Sequence, residues 1–288
     1  MLGVVTKTNN NTFVVYSNKE YYNCFSQKKV KNKSVVFVGD NVEFEKVQNE
    51  YLITKIMPRK NKLIRPFVTN VTQIFILLSI IPEPDLVLID KLIINAKQNN
   101  IIPVLLVSKC DLGIEFFNKI KEEYEKSNIE VINVSVKDNI NLNLVKEKLN
   151  NNITVLAGQS ATGKTSLLNS ICNTNNKVNS VSEKTQRGKN TTTNAELLVI
   201  DSSSFLLDTA GFSRLEFSSL NPDEIKNYYD EFSDNNCTYK NCNHVFEGNK
   251  CGIIKNLNSK NSQIDKNRYD RYKQIYLECL EFWRRRYD

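Results

Sequence analysis

The apolar positions change their period twice along the chain. Up to residue 57 they fall in short β-branched or aromatic runs, Thr12–Tyr16, Ser34–Val38, Asn41–Glu45 and Tyr51–Ile56, separated by turn residues such as Asn9-Asn10-Asn11 and Gly39-Asp40. The stretch predicts about five short strands, enough for a small barrel of the oligonucleotide-binding type. Pro58 and the basic run Arg59–Lys62 read as its exit linker. From about residue 71, apolar runs alternate with amphipathic ones. Strands are predicted over Ile74–Ser79, Pro103–Val107, Glu130–Val134, Ile153–Ala157, Leu197–Ile200 and Phe205–Leu207. Helices are predicted over Leu86–Gln98, Glu115–Lys126, Asn141–Leu149 and Lys164–Cys172. Such alternation predicts a mostly parallel sheet with helices on both faces. After Asn221-Pro222 the strands stop, and the rest reads as helical or irregular, ending in a helix from about Ser262 to Arg286.

The fold class is therefore multidomain: an N-terminal β-barrel and linker (1–65), a central α/β domain (66–220) and a mostly α domain (221–288). The last helix carries Tyr272, Tyr276, Leu280 and Trp283 near one face, a spacing that reads as core packing. Arg268, Arg271, Lys273 and Arg284–Arg286 surround that face, and the basic end is a candidate RNA contact.

Composition narrows the functional classes. Of 288 residues 40% are hydrophobic and 25% charged, the balance of a globular protein with cores. No apolar run approaches the roughly 20 residues needed to cross a bilayer. The longest, Val71–Ile81, is broken by Thr72, Gln73 and Ser79, and the first residues lack the pattern of a signal peptide. We read the chain as a cytoplasmic monomer. Residues 1–65 hold twelve Lys and Arg against five acids, with a cluster at Lys28, Lys29, Lys31 and Lys33, whereas the other two segments are near neutral. That excess fits a polyanion such as RNA, and equally a well-solvated loop.

The single histidine, His244, excludes histidine catalysis anywhere else, including a conventional serine triad. Seven cysteines, four of them scattered (Cys24, Cys110, Cys172, Cys279), do not make a disulfide framework. The other three join His244 in the spacing Cys237-x₄-Cys242-x-His244-x₆-Cys251. Three thiolates and one imidazole suit a closed tetrahedral Zn²⁺ site, structural because no ligand position is left open.

Gly158-Gln159-Ser160-Ala161-Thr162-Gly163-Lys164-Thr165 fits GxxxxGK[ST] and lies between a predicted strand and a predicted helix. In such a loop, which Ser166 follows, backbone N–H groups wrap phosphates, Lys164 reaches the β- and γ-phosphates, and Thr165 coordinates Mg²⁺. Asp208-Thr-Ala-Gly211 follows the strand Phe205–Leu207, where Asp208 can hold Mg²⁺ through water and Gly211 can donate to the γ-phosphate. Gly188–Thr193 reads as a mobile switch in which Thr192, or Thr191, offers a second Mg²⁺ ligand. Read alone, it is equally a plain Ser/Thr-rich loop. Upstream, Ser108-Lys109-Cys110-Asp111 ends a strand, and Asp111 can accept from guanine N1–H and N2–H₂ while repelling adenine N1. Lys109 can pack along the base, and Ser135-Val136-Lys137 fits the loop covering it. The order is the informative point: the base-reading loops precede the phosphate loop and the switches, the reverse of ordinary GTPases. It is the order of a circularly permuted GTPase.

In these motifs the sequence resembles the family of ribosome small subunit-dependent GTPase A over nearly its whole length. The resemblance implies a factor in late maturation of the small ribosomal subunit. It would bind rRNA and hydrolyse GTP to GDP and phosphate, with low intrinsic activity that the subunit stimulates. It implies bound GTP or GDP with Mg²⁺ and one structural Zn²⁺. It also adds Asn190, in the place of the family's switch histidine, to Lys164, Thr192, Asp208 and Gly211 as the hydrolytic set. Three positions depart from the pattern: Ser108 for the Asn of NKxD, Ala161-Thr162 for Gly-Val, and Asn190. Phe212 follows the family's habit of a hydrophobic residue after DxxG. Ser108 predicts looser guanine binding, and Asn190 with Phe212 predicts very slow intrinsic turnover. Two other readings are a P-loop ATPase or kinase and a non-catalytic RNA-binding scaffold with a weak nucleotide pocket.

Overall fold

A computed structural model describes residues 1–9, 11–27, 30, 34–64, 67–173, 195–208, 220–233, 236–257, 259, 262 and 264–285. The Lys28–Lys33 cluster, the candidate switch at 188–193 with Asn190 and Thr192, and Gly211 and Phe212 lie outside the described residues.

Five strands, β1 (Leu2–Asn9), β2 (Thr12–Ser17), β3 (Glu20–Ser26), β4 (Asn41–Val47) and β5 (Glu50–Ile56), close a barrel in the order β1-β2-β3-β5-β4. Val5, Phe13, Val15, Cys24, Val42, Phe44 and Ile53 fill it. Strand β3 pairs in parallel with β5, and the other pairs are antiparallel. The expected strand Ser34–Val38 does not form. Its one ladder contact is an isolated bridge from Val38 to Val68. The reason is local: the Asp40 carboxylate accepts the Phe37 N–H at 2.8 Å, and the Asp40 N–H returns to Phe37 O at 3.2 Å, a turn in place of a ladder.

The linker is more structured than its sequence indicates. It holds a hairpin, β6 (Lys62–Ile64) and β7 (Phe67–Thr69). Asp40, with 0% exposure, receives Arg59 Nε at 2.6 Å, Arg59 Nη2 at 2.7 Å and Thr69 Oγ1 at 2.8 Å. Asn70 Nδ2 donates to Gly39 O at 2.8 Å. These bonds dock the barrel against the hairpin and the entry to the central sheet. Tyr16 packs edge-on against Phe205, and Lys7 pairs with Glu196 at 3.1 Å.

The central sheet has six strands in the order β10-β9-β8-β11-β13-β12. They are β8 (Gln73–Ser79), β9 (Ile102–Ser108), β10 (Glu130–Val134), β11 (Ile153–Gly158), β12 (Leu197–Val199) and β13 (Phe205–Asp208). All pairs are parallel except β12–β13. Every residue of β8 and β11 is buried, as a sheet covered on both faces requires. Ile74, Ile76 and Leu78 face the helices α1 (Leu86–Gln98) and α2 (Glu115–Tyr124), whereas Phe75 and Leu77 face α3 (Leu142–Leu149) and α4 (Lys164–Asn173). Helix α1 starts where the side chain of Asp85 accepts the Leu88 N–H at 2.9 Å.

Beyond residue 220 the described chain is 3₁₀ turns and two helices, α5 (Gly252–Leu257) and α6 (Lys266–Arg284). Asp265 caps α6 by accepting from the Asn267 and Arg268 N–H groups. Tyr272 and Tyr276 are buried against Ile225, Tyr229 and Phe232, and Trp283 Nε1 donates to Leu220 O at 2.6 Å. The aromatic stripe is therefore core, as its spacing predicts. Arg268 and Arg271 are not part of a basic surface. Arg268, 2% exposed, binds Asp90 Oδ1 at 2.7 Å and Glu231 Oε1 at 2.6 Å. Arg271 binds Asp90 Oδ2 at 2.5 Å and Glu123, so a buried ion cluster joins α6 to α1 and α2. Among the described residues no helix is long and apolar enough to cross a membrane.

Candidate functional site

The phosphate loop leaves the C-terminal end of β11 and opens α4, as strand–loop–helix order demands. At Gly158, with φ of +122°, an added Cβ would lie 2.1 Å from Leu77 O, so only glycine lets β8 and β11 approach this closely. Ala161 also has positive φ, 63°, a strained conformation for a residue with a side chain. Thr162 is buried, and its hydroxyl donates to Gln159 O at 3.0 Å, satisfying a loop carbonyl that valine could not. Lys164 Nζ folds over the loop, 2.8 Å from Gly158 O, while Thr165 and Ser166 are exposed at the start of α4. The orphan N–H groups of that helix end and the positive dipole favour an anion here. Gln159 Oε1 accepts the Asp85 N–H at 3.0 Å, tying the loop to the start of α1, a link that no sequence motif signals.

The segments expected to read the base arrive from the other half of the chain. Ser108, at the end of β9, donates toward Thr162 O at 2.5 Å and lies 3.2 Å from Leu78 O. Lys109 Nζ donates to Ala161 O at 2.8 Å and to Ile81 O at 2.7 Å. Asp111 accepts from Ser135 Oγ at 2.8 Å and has Lys137 Nζ at 4.0 Å. Ser135 is fully buried and in turn accepts the Asp138 N–H at 3.1 Å, so it holds the carboxylate in place. Sequence reasoning puts Ser135 in a covering loop; its bond to Asp111 becomes visible only once β9 and β10 lie side by side. Val136 packs partly buried against the α3–α4 side of the sheet. The backbone of Asp208 ends β13 opposite Leu156 of β11, which sets it beside the phosphate loop.

The four sequence-predicted metal ligands also meet. The Sγ atoms of Cys237, Cys242 and Cys251 and a ring nitrogen of His244 all lie within 4.8 Å of one another. A tetrahedron with Zn–S bonds near 2.3 Å has edges of about 3.8 Å, so the four atoms stand close enough for one ion to draw them together. Cys237 Sγ and Cys251 Sγ stand 3.6 and 3.4 Å from His244 Nδ1. Burial pushes the thiols of Cys242 and Cys251 up and His244 down to about 4, with Lys226 adding to the latter. Neutral imidazole is the ligand form, and a soft divalent cation draws off the thiol protons, so the donor set fits zinc. Glu247 supports the loop. Burial would raise its carboxyl, yet the N–H groups it accepts, those of Asn243 and Phe246 among them, hold it below its ordinary value. Among the described residues no other cluster of three or more such donors forms.

A Gly-rich phosphate loop on a doubly covered parallel sheet, met by a lysine–aspartate base loop that precedes it in the chain, defines a circularly permuted P-loop GTPase. The family model described as RsgA GTPase matches residues 56–218. The chain is 37% identical to the small ribosomal subunit biogenesis GTPase RsgA of Thermotoga petrophila, over 85% of this chain and 84% of that protein. It is 37% identical to the protein of the same name from Clostridium acetobutylicum, over 94% and 95%. Among solved structures, YjeQ from Thermotoga maritima superposes with a TM-score of 0.83 at 30% identity, covering 97% of this chain and 98% of that one. YloQ, a circularly permuted GTPase, gives 0.79 at 25% identity, covering 97% and 95%. The chain belongs to the RsgA GTPase family.

Proposed function

We propose that this chain is a GTPase of small ribosomal subunit biogenesis, hydrolysing GTP to GDP and phosphate in late maturation with stimulation by the subunit. The observation that carries this reading is the meeting of Ser108 and Lys109 with the phosphate loop at Thr162 O and Ala161 O. Base loop and phosphate loop thus form one nucleotide site, although 52 positions separate Lys109 from Ala161. The names of the relatives supply the ribosomal partner.

In this reading Asp111 takes guanine N1–H and N2–H₂, with Lys109 along the base and Ser135 and Val136 beside it. Gly158, Gln159, Ser160, Ala161, Thr162, Gly163 and Ser166 frame the phosphates. Lys164 swings from Gly158 O onto the β- and γ-phosphates. Thr165, Thr192 and Asp208 would hold Mg²⁺, which would supply neutralising charge at the phosphates. Gly211 donates to the γ-phosphate, and Asn190 orients the attacking water. No efficient proton acceptor stands in this set, so turnover is slow until the partner orders the site. Cys237, Cys242, His244 and Cys251 hold one structural Zn²⁺.

Residues 1–65 and 221–288 act as RNA-contacting flanks of a GTPase domain at 66–220, in a cytoplasmic monomer. The test is GTP hydrolysis by the purified protein alone and with small ribosomal subunits, beside a Lys164→Ala control. Large stimulation that the control loses is expected. Subunit binding without stimulated hydrolysis would leave only the scaffold reading.

A further inference from the structure

Ser108 occupies the place of an asparagine, and its side chain has a single hydrogen to donate. Two backbone carbonyls compete for that hydrogen, Thr162 O at 2.5 Å and Leu78 O at 3.2 Å. Once it is committed, the oxygen offers any further group only lone pairs. Guanine N7 is itself a lone-pair acceptor, so it gains nothing from facing this hydroxyl. An asparagine has two amide hydrogens, enough to tie the loop with one and donate to N7 with the other.

The neighbouring polar side chains are also engaged. Lys109 spends two of its three hydrogens on Ile81 O and Ala161 O, which hold it against the loop, and the hydroxyl hydrogen of Ser135 goes to Asp111. The Asp111 carboxylate reads the N1 and N2 edge, on the opposite side from N7.

We propose that Ser108 narrows base reading in this chain to the Asp111 edge by spending its one hydrogen on the phosphate loop, leaving guanine N7 unread. The site then accepts guanine nucleotides lacking the N7 lone pair as readily as GDP and GTP. This rests on the guanine reading of the Asp111 pocket.

The experiment is a competition titration of the full-length protein with Mg²⁺, using GDP, 7-deaza-GDP and ADP. For the natural chain, GDP and 7-deaza-GDP should bind within about twofold of each other, since no net hydrogen bond separates them. Ser108→Asn should bind GDP more tightly and raise its preference over 7-deaza-GDP by about fivefold, the worth of one added hydrogen bond. Ser108→Ala should weaken both nucleotides together with their ratio unchanged, because only the loop tie is lost. A natural chain that binds 7-deaza-GDP fivefold or more weakly than GDP would overturn the proposal, as would Ser108→Asn with an unaltered ratio. ADP binding as well as GDP would instead sink the guanine reading itself.

Discussion

Asp90→Ala removes the acceptor on which the two buried arginines of α6 converge. Asp90 is 1% exposed and receives Arg268 Nη1 at 2.7 Å, Arg271 Nε at 2.5 Å and Tyr124 OH at 2.7 Å. Three hydrogen bonds to a charged group, at about 1.5–3 kcal/mol each, set an upper bound of roughly 5–9 kcal/mol. Two facts lower it. Arg268 keeps Glu231 and Arg271 keeps Glu123. The cluster also holds three carboxylates for two guanidiniums, and burial raises the Glu123 carboxyl even against the pull of Arg271. The expected loss is therefore about 4 kcal/mol, within the range for breaking a buried pair. That is roughly a thousandfold shift in the balance between docked and undocked α6. Trp283, the single tryptophan, sits near the end of α6 with its Nε1 on Leu220 O, so its emission follows docking. Guanidinium titration of tryptophan emission should show the variant's transition displaced to lower denaturant by that free energy. Asp90→Asn should cost nearly as much, because its amide places hydrogens against the guanidiniums. A midpoint within error of the natural protein for both variants would refute the reasoning.

Arg59→Ala should leave the fully buried Asp40 carboxylate without its two guanidinium bonds and cost about 3 kcal/mol; faster proteolysis around the residue 58–70 connection checks it. Ala161→Gly should raise stability by about 0.5 kcal/mol, the relief of positive-φ strain less the entropy of a freer unfolded chain, read as a higher Tm. Chelation of zinc, or Cys251→Ser, should release one metal equivalent and red-shift Trp283 emission while GDP binding persists. Unchanged emission after full metal release would show that the cysteine loop does not support α6.

The sheet was legible because burial on both faces writes long apolar runs: the expected strands Ile74–Ser79 and Ile153–Ala157 match β8 and β11 to within one residue. The barrel was less so. Strand β3, Glu20–Ser26, turns only Cys24 and Ser26 fully inward, so it lacks the apolar alternation that marks a strand. Ser34–Val38 has the right residues, but Asp40 diverts its backbone into a turn, and one carboxylate overrides a weak propensity. The nucleotide and metal motifs were readable since their spacing is the chemistry. The bonds that Ser108, Ser135 and Gln159 make were not, because their partners lie 54, 24 and 74 positions away. Arg268 and Arg271 look like a solvated helix face until Asp90 and Glu123 are brought against them.

The permuted order also fixes when the nucleotide can matter during synthesis. Strand β8 needs β11 along one edge, and their side chains meet where Gln73 donates to Thr154, 81 positions later. At about 5–20 residues per second that gap takes roughly 4–16 s, during which β8 has at most β9 on one side and nothing on the other. An apolar strand with an open edge is a hazard for wrong pairing, and here it lies in the half that emerges first. Strand β11, made afterwards, closes that edge and in the same event brings the phosphate loop against Ser108 and Lys109. GTP or GDP can therefore assist the folding of this domain only once β11 has joined the sheet, never before.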